Sequence, residues 1–206
     1  VSDVNTLKTL GVFDFRNSLA EVIKYGMIGD PVLFQLLEKK VGVFLSAIRY
    51  NNFSSSEVAF LEAVISRSAQ AKARVVCEDE REIKGKRMIL NYGHTFAHAL
   101  EAASKFKLPH GQAVAIGMIF AGELACRLGI FSRAAQARQI QLIAKLGLSL
   151  NCKFSSDRLI SFMRRDKKVK NGKIRFVLPK RIGQVGIYGN IPEKLVRHVL
   201  DDYRRK

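Results

Sequence analysis

Residues 111–128 place the tightest constraint on what this chain can become. The stretch is almost wholly apolar and rich in small side chains, among them Ala113, Ala115, Gly117, Ala121 and Gly122. A helix formed there has no polar face to turn toward water and must be buried on most sides. Such a helix needs other elements to cover it, and the sequence supplies them. Across residues 17–27, Leu19, Val22, Ile23 and Met27 fall at i, i+3, i+4 and i+8, the period of an amphipathic helix, and Gly29-Asp30-Pro31 ends it. Further helices are expected over 31–47, from the capping cluster Ser54-Ser55-Ser56 past Val76, and over 88–103. Beyond Leu150 the texture changes. The β-rich runs 174–178 and 184–188, joined through Pro179 and Gly183, read as a hairpin, and Pro192 opens a last helix to about residue 203. The expected architecture is therefore mainly α, a multi-helix domain over residues 1–206 with one small β-hairpin near 174–188.

Charge narrows the class of partner. Thirty-five Lys and Arg against 18 Asp and Glu give a net charge of +17, a field that attracts anions without naming them. Nucleic-acid binders gather basic residues into one stripe with aromatics beside it. Here Lys and Arg recur along the whole length, denser only at 167–173 and 203–206, so a small anionic ligand is the expected partner and nucleic acid is not. No apolar run approaches the roughly 18 residues needed to cross a bilayer, and the N-terminus lacks the zones of a signal peptide. Cys77, Cys126 and Cys152 show neither metal-ligand nor redox spacing, which fits a reducing, cytoplasmic setting.

Three of the four histidines, His94, His98 and His110, fall within one short segment. On a helix His94 and His98 stand at i and i+4, so their imidazoles leave one face about 5–6 Å apart at Cβ and could share a ligand. His110, just ahead of the buried helix, could fold back on them. Imidazole is the commonest metal ligand, and a catalytic zinc takes three protein ligands from His and carboxylate. A zinc-peptidase motif is excluded, because Thr95 stands where its general base would be. Candidate carboxylates are Glu101, one turn on from His98, and Glu21, set among Leu19, Ala20, Val22 and Ile23. Lys24, at i+3 from Glu21, is either the counter-ion of that carboxylate or a group reaching a substrate anion, and spacing leaves both open.

These residues stand in stretches that resemble the C-terminal, helical domain of the 3-dehydroquinate synthase family. The matches are residues 3–10 (DVNTLKTL), 19–26 (LAEVIKYG), 72–82 (KARVVCEDERE), 87–101 (RMILNYGHTFAHALE), 110–118 (HGQAVAIGM), 166–168 (DKK) and 176–179 (FVLP). The resemblance implies a Zn2+ or Co2+ site made by Glu21, His94 and His110, with His98 facing substrate in the proton-handling set. It implies that Lys24, Lys72, Arg87, Asn91 and one of Lys167 and Lys168 bind the substrate, with His98, Lys24 and Asn91 as the catalytic group. If residues 88–103 form one helix, Arg87, Asn91, His94 and His98 make a single stripe along it. The reaction so implied converts 3-deoxy-D-arabino-heptulosonate 7-phosphate to 3-dehydroquinate and phosphate, through transient oxidation by NAD, phosphate elimination, re-reduction and an intramolecular aldol closure. NAD would be bound mainly by an N-terminal, Rossmann-like domain, whose Gly-x-Gly-x-x-Gly signature is absent from these residues, and the full enzyme is expected to be a homodimer. The isolated domain is accordingly expected not to complete turnover.

Departures from the family pattern are Ser18, Ala97 and Gln112, and a stretch 82–87 one residue longer than expected. Gln112 stands where a glutamate could back His110, and lacks its charge. Rival readings are another sugar phosphate cyclase of the same superfamily, a metal-dependent alcohol dehydrogenase, a degenerate half-enzyme, and a basic helical nucleic-acid-binding module.

Overall fold

A computed structural model describes residues 3–48, 53–81, 85–165 and 174–204. Its helices are α1 (Val12–Ile28), α2 (Pro31–Ile48), α3 (Ser55–Glu78), α4 (His94–Ala103), α5 (His110–Arg127), α6 (Arg133–Lys145), α7 (Ser156–Arg165) and α8 (Glu193–Arg204). Two 3-10 segments, Val4–Thr9 and Lys86–Asn91, and an antiparallel pair, β1 (Phe176–Arg181) and β2 (Gln184–Tyr188), complete the described elements.

The apolar run does form the central helix. Along α5, Ala113 to Ala115, Ile116, Met118, Phe120, Leu124 and Ala125 are buried, and α4, α1, α6, α8 and β1 all pack on it. Each large apolar side chain so enclosed contributes about 1.5–3 kcal/mol. Phe96 of α4 lies 5.5 Å from Phe120 and 5.4 Å from Phe176, an aromatic seam joining α4, α5 and β1. The inward face of α1 is the one its period marks, with Leu19, Ile23 and Met27 buried. At the start of α3 the Ser54 N–H donates to Glu57 Oε2 at 2.7 Å, the return half of a capping box.

Two expectations need correction. The hairpin pairs Phe176 with Tyr188, Val177 with Ile187 and Pro179 with Val185. Pro179 thus lies inside β1 rather than in the connection, which turns at Ile182-Gly183; in a two-stranded sheet each strand is an edge, where a missing N–H is tolerated. The single helix expected over 88–103 does not exist either. A 3-10 segment ends at Asn91, Tyr92 leads into Gly93 at φ +79, and α4 starts afresh at His94. The break comes from how closely α4 and α5 approach. A Cβ on Gly93 would sit 2.9 Å from the Met118 backbone N, and one on Gly117 would sit 2.2 Å from the Gly93 carbonyl oxygen. Only glycine supplies both the left-handed backbone and the missing side chain there. Residues of a 3-10 helix repeat every three positions, so Arg87 and Asn91 share no face with each other, and the four-residue stripe ending at His98 is broken.

The buried Tyr92 side chain pins this junction. Its hydroxyl donates to Gln139 Oε1 at 2.6 Å, and Gln139 Nε2 donates to the Met118 carbonyl at 2.9 Å. Among the described residues, no helix is long and apolar enough to cross a membrane. Lys167 and Lys168 lie outside the described residues.

Candidate metal centre

Three helices meet where the sequence clusters its histidines. Helix α1 carries Glu21 and Lys24, while His94 and His110 are the first residues of α4 and α5. The α1–α5 contact is closed by Asn17, one turn before Glu21, whose Oδ1 accepts the Gln112 backbone N–H at 2.8 Å. Beside that bond Gly111 lies so close to α1 that a Cβ on it would sit 2.0 Å from the Asn17 carbonyl oxygen. Together with the Gly93–Gly117 contact, this fixes the starts of α4 and α5 against the middle of α1. The electropositive first turns of two helices therefore flank one carboxylate.

Glu21 Oε1 lies 3.4 Å from His94 Nε2 and 3.3 Å from His110 Nε2. One donor atom from each of the three side chains falls within 4.8 Å of the other two. The remaining ring nitrogens are committed elsewhere: His94 Nδ1–H donates to the Tyr92 carbonyl at 3.1 Å, and His110 Nδ1–H to Glu101 Oε1 at 3.0 Å. A carbonyl and a carboxylate can only accept, so in the neutral rings both Nε2 lone pairs face Glu21. Two imidazole lone pairs and a carboxylate oxygen in one small space repel unless a cation, a metal ion or a proton, lies among them. The donor types are those of zinc and its neighbours. The 3.3–3.4 Å separations also match the edge of a tetrahedron with arms of about 2.0–2.1 Å, the usual zinc–nitrogen distance. The residues present fit a divalent transition-metal ion.

The electrostatics hold Glu21 ionised. Burial is the largest single influence and pushes its pKa up, but with a proton shared between the His94 ring and Glu21 in place of a metal ion, that hydrogen bond and charge and the Lys24 ammonium together outweigh burial and bring it down to about 2. Lys24 Nζ is bonded to Glu21 Oε2, its side chain is only 6% exposed, and it lies 5.1 Å from the centre of the Tyr25 ring. Of the two roles open to Lys24, the structure shows that of counter-ion to Glu21. The same carboxylate charge, after burial, raises the Tyr25 hydroxyl pKa.

His98 stands beside this set and not within it. Its ring is edge-on to His94 at 5.6 Å between centroids, while the His110 ring is 5.4 Å from His94 on another side. Arg87 and Asn91 sit on the 3-10 segment and Lys72 is exposed on α3; both elements pack on α1. The Arg87 guanidinium donates to the Glu80 carbonyl at 3.4 Å. Gln112 is a correction of another kind. Its side chain donates to the Ser149 carbonyl at 2.6 Å, so the group behind His110 is not position 112 but Glu101. Asn17 and the Tyr92 carbonyl were missed in the sequence. Asn17 lies one helical turn before Glu21, and Tyr92 is marked only by the Gly93 that follows it.

Known proteins resemble this chain along most of its length. Residues 18–169 match the family model described as 3-dehydroquinate synthase C-terminal. The 3-dehydroquinate synthase of Microcystis aeruginosa (strain NIES-843 / IAM M-2473) is 44% identical over 200 residues, which is 96% of this chain and 52% of that protein. That of Prochlorococcus marinus (strain MIT 9313) is 45% identical over 202 residues, 97% of this chain and 52% of that protein. The chain thus spans about half the length of the curated relatives it matches. Among solved structures, 2-epi-5-epi-valiolone synthase from Streptomyces hygroscopicus subsp. jinggangensis 5008, with NAD+ and Zn2+ bound, superposes with a TM-score of 0.83 at 24% identity, over 97% of this chain and 53% of that one. A 2-deoxy-scyllo-inosose synthase complexed with carbaglucose-6-phosphate, NAD+ and Co2+ gives a TM-score of 0.73 at 22% identity, over 95% of this chain and 54% of that one. At these identities the two structures speak for the fold.

Proposed function

The chain belongs to the 3-dehydroquinate synthase family, matching its C-terminal part, and from that premise we propose that it is the metal- and substrate-binding half of an enzyme converting 3-deoxy-D-arabino-heptulosonate 7-phosphate to 3-dehydroquinate and phosphate. One observation carries the reading: Glu21, His94 and His110 point a carboxylate oxygen and two imidazole lone pairs at one another, with both Nδ1 protons engaged behind them. Bound there, a Zn2+ or Co2+ ion would supply Lewis acidity to a substrate hydroxyl, and NAD, held by an N-terminal domain, would take up and return hydride.

The protein's own groups have separate tasks in this reading. Lys24 offsets the charge of Glu21 and adds positive potential for an anionic sugar phosphate. The starts of α4 and α5 add to that potential. His98, beside His94 and half-buried, handles protons. Arg87, Asn91, Lys72 and one of Lys167 and Lys168 hold the carboxylate, hydroxyls and phosphate, with Arg87 suited to a bidentate grip on the anion. Assembly as a homodimer, a cytoplasmic location and dependence on the N-terminal domain for turnover belong to the same proposal.

The test is a chimaera in which this chain replaces the matching half of the Microcystis aeruginosa relative, assayed with zinc and NAD for phosphate release and 3-dehydroquinate formation. Turnover that falls at least 100-fold in His98→Ala, with zinc content kept, is the expected result. A chimaera that folds and binds zinc yet releases phosphate only from glucose 6-phosphate would move the chain to another cyclase.

A further inference from the structure

Two histidines of the cluster are held in different ways. The His94 side chain is 11% exposed, so packing and the Tyr92 carbonyl both fix its ring. The His110 side chain is 50% exposed, and packing on one side cannot set the rotation of a ring that faces solvent on the other. His110 also follows directly on the α4–α5 loop. That loop contains two consecutive non-glycine residues in the left-handed region, Lys105 at φ 54 and Phe106 at φ 59. Such a pair is strained and persists only where the surroundings over-determine it. Here the Phe106 N–H and the Ser104 hydroxyl both donate to the Glu101 carbonyl, at 2.7 and 2.8 Å, and the Leu108 N–H donates to Ser104 Oγ at 3.0 Å. The reversal so locked returns the chain against the end of α4, where the 15% exposed Glu101 side chain meets His110 Nδ1 at 3.0 Å.

We infer that Glu101 is a positioning residue: its carboxylate, presented by the locked α4–α5 reversal, fixes the tautomer and rotation of His110 so that Nε2 faces Glu21 and His94. The inference deepens the metal-site reading above and rests on it for its purpose, though not for its geometry. A carboxylate behind a ligating imidazole holds the ring and raises its basicity, and removing such a partner costs about 10–100-fold in metal affinity. Neutral imidazole in water favours the proton on Nε2, the nitrogen that here must be free. Glu101 reverses that preference.

The test uses nitrogen-resolved NMR of the imidazoles in the metal-free chain, at a pH high enough that both rings give the nitrogen shifts of neutral imidazole. It compares wild type, Glu101→Gln and Glu101→Ala, with zinc dissociation constants from chelator competition on the same samples. In the wild type His110 should carry its proton on Nδ1. Glu101→Ala should move it to Nε2 and weaken zinc about 10–100-fold, whereas Glu101→Gln, whose amide oxygen still accepts, should keep the Nδ1 tautomer and lose less affinity. His94, backed by Tyr92, should stay unchanged in all three as an internal control for folding. An unchanged His110 tautomer and unchanged zinc affinity in Glu101→Ala would overturn the inference and leave the metal site standing. A tautomer that follows Glu101 in a wild-type chain that binds no zinc would do the reverse.

Discussion

Adding one methyl group at Gly111 should damage the metal centre from a position that bears no ligand. The Cβ of Gly111→Ala would lie 2.0 Å from the Asn17 carbonyl oxygen, 2.6 Å from its carbonyl carbon and 2.9 Å from its Cα. All three are backbone atoms of a helix, so no side chain can swing away. Ordinary van der Waals contact begins near 3.4 Å, so α1 and the start of α5 must separate by about 1.4 Å. Asn17 is one turn before Glu21, and His110 is the residue before Gly111, so most of that separation enters the 3.3 Å gap between Glu21 Oε1 and His110 Nε2. Metal–ligand distances tolerate about 0.2 Å. The expected result is a stability loss of about 1–3 kcal/mol in urea unfolding, with zinc affinity down at least about 10-fold. The control is Gly42→Ala on α2, where a Cβ meets nothing within 4 Å. There the same methyl should stabilise by about 0.5–1 kcal/mol and leave zinc affinity alone. A Gly111→Ala protein with wild-type stability and wild-type zinc affinity would refute the argument that this backbone contact sets the site.

Three other outcomes follow from the same structure. The Glu21 pKa is lowered from 4.5 to about 2, worth about 3 kcal/mol by linkage. A depressed carboxylate pKa stabilises above the unfolded value and loses that stabilisation as pH falls through the folded one. The stability gap between metal-free wild type and Glu21→Gln should therefore close from about 3 kcal/mol at pH 6 to near zero around pH 2, and a gap that stays constant counts against it. Tyr92→Phe strips the donor from Gln139 Oε1 in a fully buried setting; denaturation should show a loss of about 1–3 kcal/mol, and no loss would mean the pair is idle. Phe106 is 80% exposed with φ 59, so Phe106→Gly relieves backbone strain at no cost in packing. After the extra entropy of glycine in the unfolded chain, a gain of about 0.5–1 kcal/mol is expected in thermal melts, and a loss would contradict the strain.

Legibility in the sequence followed the local signals. The buried helix α5, the amphipathic face of α1, the capped start of α3 and both strands are written in periodicity, caps and β-rich runs, each read within a few residues. The break at Gly93 was not legible, because it answers to Gly117 and Met118 on another helix, a contact of long sequence separation. Helix α7 did carry a local signal that went unread, since Leu159, Ile160 and Met163 fall at i, i+1 and i+4 and are buried together; in α6 the buried polar residues Gln136 and Gln139 make sense only beside the α5 carbonyls that accept from them. At the site, histidine spacing suggested a pair on one helix face. The convergence of Glu21, His94 and His110 came from a resemblance and was found in space, since no spacing rule links residues 89 positions apart. Position 112, the next residue but one, is where a glutamate could back His110, and Gln112 brings no charge there. The chain instead reverses through Lys105 and Phe106 and supplies it from Glu101.

Zinc content and affinity of the purified chain, measured beside Glu21→Ala, His94→Ala and His110→Ala, test the central claim most directly. The account predicts about one equivalent of zinc in the wild type and binding weakened by at least about 100-fold in each variant, with folding retained in circular dichroism. Zinc binding that is absent from the well-folded wild type, or indifferent to all three substitutions, would contradict it.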